Sequence, residues 1–242
     1  MKILTPRALH ALERFNSAHP WDHNAHYHPW LIRQLPGSFG RALDVGCGTG
    51  DLVRLLAGRA REVHGVDSDP GIVGRARELS GDRYGHVTYS VADAPGGLPP
   101  GPYDVITCVA VLHHLPLAEA LTRFRQQLAP GGTLLVVGLA REETFGDRLL
   151  SYASIPLNAA TGWLKNRGRT AARPPSMTAV TRPADVTYAE IVREARRVLP
   201  GARLRRRLFW RYTLVARAPR ADGVRGACAG PGRISPAGRS GA

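Results

Sequence analysis

Residues 44–51 read Asp-Val-Gly-Cys-Gly-Thr-Gly-Asp, and the placement of this stretch decides the fold. It follows Ala42-Leu43-Asp44-Val45, a short strand-like run. It precedes Asp51 to Ala60, where Leu52, Leu55 and Leu56 share one helical face. Gly46, Gly48 and Gly50 carry no Cβ, so the backbone can turn tightly and a ligand can lie against it. A glycine-rich turn between a strand and a helix sits where open α/β sheets bind ligands, beyond the carboxyl ends of the strands.

Outward from the loop, strand and helix patterns alternate. Glu62 to Val66 reads as a second strand and Pro70 to Leu79 as a second helix. Val87 to Val91 alternates as a third strand, and Tyr103 to Ala110 is apolar enough for a strand buried on both faces. Leu117 to Leu128 reads as a helix closed by Pro130-Gly131-Gly132, with a fifth strand over Thr133 to Leu139. Such alternation predicts an α/β fold with a parallel sheet and right-handed crossovers. Near the end, Tyr188 to Leu199 reads as a helix. Ala202 to Leu208 and Arg211 to Ala216 read as a hairpin that closes the sheet antiparallel.

Two kinds of nucleotide ligand suit a loop in this place. Dinucleotide binders use G-x-G-x-x-G and seat a pyrophosphate at the helix N-terminus. Here the spacing is G-x-G-x-G, and Asp44 and Asp51 flank it. Two carboxylates repel phosphate and suit a ligand with a cationic amino group and no phosphate. S-adenosylmethionine (SAM), with its α-amino group and sulfonium, is such a ligand. Asp67 ends the second strand, where an acid can accept both ribose hydroxyls; by itself that position serves NAD equally well. Asp93 ends the third strand, where a carboxylate can accept from an adenine amino group.

The ordered stretches ALDVGCGTGDL, VHGVDSDP, VADAP, YDVITCVAVLHHL and LAPGGTLLVV, spanning residues 42–139, resemble the motif series of class I SAM-dependent methyltransferases. The subgroup most resembled is the small-molecule enzymes with a Leu-His-His motif after the fourth strand. The resemblance implies a Rossmann-like, seven-stranded, mostly parallel sheet with helices on both faces and the last strand antiparallel. It also implies that Gly46, Cys47, Gly48 and Gly50 back the methionine part of SAM, with Asp44 near its amino group. Asp67 and Ser68 would hold the ribose, Asp93 the adenine amine, and Ala94 the side of the ring. The peptide around Cys108 and Val109 would run along the methionyl chain.

Methyl transfer is an in-line displacement from a good leaving group, so alignment is the main task. A base is needed only where the acceptor must lose a proton. His113 and His114 follow the fourth strand at the expected edge of the acceptor pocket, as a base or orienting pair or as a packing pair at a helix start. Residues 21–28, Trp-Asp-His-Asn-Ala-His-Tyr-His, lie before the first strand, where related enzymes fold over SAM. Trp21 to Tyr27 is therefore expected as a lid, with Tyr27 on the cofactor. Asp22, His23, His26 and His28 could ligate a metal, but their spacing matches no known site and the chemistry requires none, so no metal is expected.

The chain has 242 residues, with 43% hydrophobic residues, which suits one α/β domain. Residues 1–38 read as an N-terminal helical lid of two short helices, 39–217 as the methyltransferase domain with a substrate-side insertion at 141–186, and 218–242 as a disordered tail. In the insertion, Leu149, Leu150, Tyr152, Ile155, Pro156 and Trp163 would give an apolar wall to the acceptor pocket. No secretory signal or membrane-spanning run is visible, so a cytoplasmic protein is expected. Three scattered cysteines make neither a disulfide framework nor a metal knuckle. The formal charge of +14 comes almost entirely from dispersed arginines. A small-molecule acceptor is expected. An RNA or protein acceptor is the alternative, resting on the basic and aromatic run Arg205 to Tyr212. A catalytically silent SAM-binding module is another.

Overall fold

The computed structural model describes residues 5–177 and 182–220. Seven strands, β1 (Phe39–Val45), β2 (Ala60–Asp67), β3 (Val87–Val91), β4 (Tyr103–Val109), β5 (Leu128–Gly138), β6 (Arg203–Arg207) and β7 (Arg211–Arg217), form one sheet in the order β3-β2-β1-β4-β5-β7-β6. The first five pair in parallel. β7 runs antiparallel to both of its neighbours, β5 and β6. This is the Rossmann-like, mostly parallel sheet that the sequence motifs imply. The strand order reverses between β1 and β4, so the chain leaves these neighbours in opposite directions and a crevice opens at their carboxyl ends. The Asp44 to Asp51 loop sits at that crevice.

Period-two alternation explains why the central strands are apolar throughout. Leu43, Val45, Ile106, Cys108, Leu134 and Val136 pack with Leu121 and Phe124 of α6 (Leu117–Gln127) and with Ile191 and Ala195 of α8 (Tyr188–Val198). Their neighbours Ala42, Val105, Leu135 and Val137 face the opposite layer. There they meet Leu31 of α3 (His28–Gln34), Val53 and Leu56 of α4 (Asp51–Ala57), and Val73 of α5 (Pro70–Ser80). Caps set the helix starts: Asp69 accepts from the amides of Gly71 and Ile72 at α5, and Thr187 and Glu190 form a reciprocal pair at α8.

Several boundaries differ from the sequence reading; the helix after the glycine loop ends at Ala57, not Ala60, and β2 begins at Ala60, not Glu62. β5 begins at Leu128, not Thr133, so Pro130-Gly131-Gly132 lies inside the strand and does not close the helix. The register against β4 shifts between Tyr103 and Val105, and Gly132 permits this because a Cβ there would lie 2.8 Å from the carbonyl oxygens of Ala129 and Tyr103. Residues 218–220, read as the start of the tail, pair with this stretch. Ala218 N donates to Gly132 O at 2.8 Å, and Gly131 N to Pro219 O at 3.0 Å. The rest of the expected tail, 221–242, lies outside the described residues. The N-terminal segment holds three helices where two were expected: α1 (Pro6–Ala18), α2 (His23–His26) and α3.

The long helix α7 (Phe145–Lys165) inverts the usual pattern. Its buried stripe is Ser154, Asn158 and Gly162, spaced four apart, while Leu149 is 60% and Trp163 48% exposed. The expected apolar wall therefore faces mainly outward. Small and polar residues inside allow close approach: a Cβ on Gly162 would lie 2.4 Å from the His19 carbonyl. They also anchor the N-terminal segment and the turn between β6 and β7. The Asn158 side-chain oxygen accepts from Trp21 Nε1 at 3.0 Å and lies 2.7 Å from His23 Nε2, and Ser154 Oγ accepts from Phe209 N at 2.9 Å. Asn158→Ala removes the partner of His23 Nε2 and leaves Trp21 Nε1 only the residue-158 backbone carbonyl, 3.1 Å away, and is expected to lower stability by about 1–2 kcal/mol in urea unfolding. Hydrogen exchange should speed up first in residues 19–27.

Candidate active site

The loop after β1 is tied to β2: the amides of Gly46 and Cys47 both donate to Val66 O, at 2.8 and 2.9 Å. Gly46, at φ +73°, has no alternative, because a Cβ there would meet Val111 Cγ2 at 2.0 Å. Gly48 is different. A Cβ there would meet nothing within 4 Å, so this glycine presents bare backbone to open space. Its amide donates to Asp67 Oδ2 at 3.0 Å, and Asp69 N donates to Asp67 Oδ1 at 3.1 Å. The Asp67 carboxylate is thereby fixed at the end of β2, with lone pairs left on both oxygens.

Asp44 lies deeper, at 2% exposure. Thr107 Oγ1, from the adjacent β4, donates to its Oδ1 at 2.6 Å. Burial pushes the carboxyl up to about 7, and the nearby Asp67 charge adds to the shift against the pull of the Thr107 hydrogen bond. Burial likewise pushes the Cys47 and Cys108 thiols well above the ordinary range, so both stay protonated at neutral pH. The Cys108 side chain belongs to the core, which leaves only its peptide to face the crevice.

A cavity joins Asp44, Gly46, Cys47, Gly48, Thr49 and Val109 to residues outside the motif series: Asp22, Asn24, His28 and Ser176. Asp22 Oδ1 caps α2 through the amides of Asn24 and Ala25, and its Oδ2 accepts from Ser176 Oγ at 2.6 Å. Tyr27 does not line this cavity: its hydroxyl donates to Leu208 O at 2.7 Å, and its ring packs among the residues around α4. Asn24 and His28 stand there instead. Ser68 and Asp93 are exposed at the ends of β2 and β3, with Ala94 half-buried beside Asp93, one and two strands outward from Asp44.

His113 and His114 form a tight turn after β4, with ring centroids 4.0 Å apart. His114 is exposed. His113 is half-buried, and burial first, then His114 and Arg211, pull its pKa down to about 4, so its ring is neutral at pH 7. Its Nδ1 is buried with no hydrogen-bond partner among the described residues. Asp22, His23, His26 and His28 do not gather as ligands; no group of three or more such side chains suited to a metal occurs among the described residues.

A family model described as a methyltransferase domain matches residues 43–134. An uncharacterized methyltransferase of Mycobacterium tuberculosis is 32% identical over 206 residues, covering 83% of this chain and 98% of that protein. The chain belongs to the class I SAM-dependent methyltransferases. A ubiquinone biosynthesis O-methyltransferase of Burkholderia multivorans is 33% identical over 147 residues, 54% of this chain and 63% of that one. The fold is also that of the N-methyltransferase NodS of Bradyrhizobium japonicum, solved with S-adenosylhomocysteine. That match has a TM-score of 0.55 and 20% identity, and covers 87% of this chain and 97% of NodS.

The methyltransferase crevice suits SAM on its own chemistry. Asp44 is a buried carboxylate with a hydroxyl partner and no cation within ion-pair distance among the described residues. The α-ammonium of SAM would supply that cation, and the bare backbone of Gly48 leaves room for the ligand's chain. A carboxyl raised to about 7 is protonated below that pH, and an ammonium ligand favours the ionised form. Binding of S-adenosylhomocysteine is therefore expected to weaken as pH falls from 7 to 5, approaching about tenfold per pH unit. It should change little between about pH 8 and the pH at which the ligand's own ammonium is lost. Asp44→Asn should weaken binding and flatten the profile, as calorimetry would show.

Proposed function

We propose that this methyltransferase transfers the methyl group of SAM to a small-molecule acceptor bound beyond the carboxyl ends of β4 and β5. The observation that carries the reading is the buried, cation-free Asp44 carboxylate beside the bare Gly48 backbone. Bound SAM supplies an electrophilic methyl on a sulfonium. Asp44 holds its ammonium, and Gly46, Cys47, Gly48 and Gly50 back the methionyl chain, with the peptide of Cys108 and Val109 on the other side. Asp67 and Ser68 take the ribose hydroxyls; Asp93 takes the adenine amine, and Ala94 flanks the ring. Asn24 and His28 cover the methionine end from the lid, the place first expected for Tyr27. The Asp22–Ser176 hydrogen bond closes the lid and excludes water. The name of the Burkholderia relative, a ubiquinone biosynthesis O-methyltransferase, supports a small-molecule acceptor.

His113 is the better placed of the two histidines to orient the acceptor. A neutral ring with a spare buried nitrogen can accept a hydrogen bond from an acceptor O–H or N–H. His114, the more exposed, serves at most as its neighbour.

Titration with S-adenosylhomocysteine beside NADH tests the cofactor assignment. Micromolar binding of the former and none of the latter is expected, weakened about tenfold or more by Asp67→Ala through loss of charged hydrogen bonds. Preference for NADH would sink the reading.

A further inference from the structure

The β6–β7 hairpin is closed by Arg207 directly opposite Arg211. Like charges across an antiparallel pair destabilise it. Neither arginine has an acid within ion-pair distance among the described residues. Their neighbour Arg206 does, reaching Asp147 at 2.5 Å. Arg211 donates from Nε and Nη2 to Asn24 Oδ1 at 3.3 and 3.0 Å, and from Nη1 to Phe209 O at 3.3 Å. Arg207 donates from Nε to Thr213 Oγ1 at 3.1 Å, with its guanidinium 5.2 Å from the Trp30 ring centre. All these acceptors are neutral. Burial disfavours the charge on Arg211, so the arrangement is costly as it stands.

The connecting turn is costly too. Phe209 and Trp210 both adopt left-handed backbone, at φ 57° and 59°, which bulky residues rarely do. This conformation lodges Phe209 against Trp21, with ring centres 4.7 Å apart, and leaves Trp210 lining a second cavity with both arginines and Tyr212. Two carboxylates line it as well: Asp147 is ion-paired to Arg206 and Glu142 accepts from Ser151, which leaves Arg207 and Arg211 as the cationic pair without an acid partner among the described residues. That cavity lies where β5 ends and β7 begins. Asn24 links it to the cofactor crevice, because it lines that crevice and also holds Arg211. The Arg211 charge also reaches His113.

We propose that Arg207 and Arg211, with Trp210 beside them, form an anion subsite that takes a carboxylate or phosphate of the methyl acceptor. The assignment rests on the reading of the neighbouring crevice as a methyltransferase site. An anion between the two guanidiniums offsets their repulsion, and their planar N–H donors suit two-point recognition of such a group. The aromatic wall favours an acceptor whose anion is carried on an apolar or ring-bearing body.

The test is calorimetric titration of the whole chain, with and without S-adenosylhomocysteine, using 4-hydroxybenzoate, phenyl phosphate and neutral 4-hydroxybenzamide. The wild type is expected to bind at least one of the two anions about tenfold more tightly than the amide. Arg207→Gln and Arg211→Gln should each abolish that preference, and Arg211→Lys should restore part of it. Equal binding of anion and amide by the wild type overturns the proposal without needing any variant to fold. Loss of S-adenosylhomocysteine affinity in both Gln variants, with 5′-methylthioadenosine affinity kept, would assign the pair to the cofactor's own carboxylate and also overturn it. Failure of the wild type to bind S-adenosylhomocysteine would count against the cofactor reading alone, because the anion preference is read without it.

Discussion

A carboxylate held out of water, with no cation beside it among the described residues, organises this molecule. Asp44 lies one residue before the end of a central strand, and the Thr107 hydroxyl that holds it comes from the adjacent strand, across the reversal of strand order. Burying such a group is unfavourable unless something offsets it. The fold accepts that cost because the strands around it bury apolar side chains on both faces, from Leu43 and Val45 on one to Ala42 and Leu135 on the other. The sheet supplies the rigidity and the glycine loop the room; the unmet charge supplies the chemical preference.

The same logic recurs at the other end of the sheet, with the sign reversed. Arg207 and Arg211 are held by neutral oxygens on a turn of strained aromatic residues. One acidic and one basic group, each without a full partner, stand on either side of Asn24. Sites built in this way trade stability for recognition, because the missing partner is provided by the ligand.

The central sheet was legible in the sequence because its signals are local: alternating apolar runs, glycines between strand and helix, and acids at successive strand ends. β3 falls at Val87–Val91 as its alternation predicts. The failures have physical causes. Pro130-Gly131-Gly132 looks like a turn, yet a register shift makes it part of β5, and register is a property of two strands, not one. α7 hides Ser154, Asn158 and Gly162 and exposes its large residues, so an apolar pattern alone points to the wrong face. Ser176 sits in a Pro- and Arg-rich loop with no periodic signal, and only folding brings it to Asp22. The segment before β1 is expected to lie over the loop, but which of its residues line the crevice depends on a one-turn helix that composition does not reveal.

The bond between Ser176 and Asp22 joins segments 154 residues apart in the chain. A hydrogen bond of this kind is worth about 1–2 kcal/mol net, so on its own it favours closure only by about one order of magnitude. Ligand exchange can then proceed through a brief local opening while the sheet and both layers of helices stay intact. If the segment acts as the proposed lid, this rim contact is the one that opens the crevice, while Trp21 on Asn158, Tyr27 on Leu208 and Asn24 on Arg211 keep the rest of the segment seated.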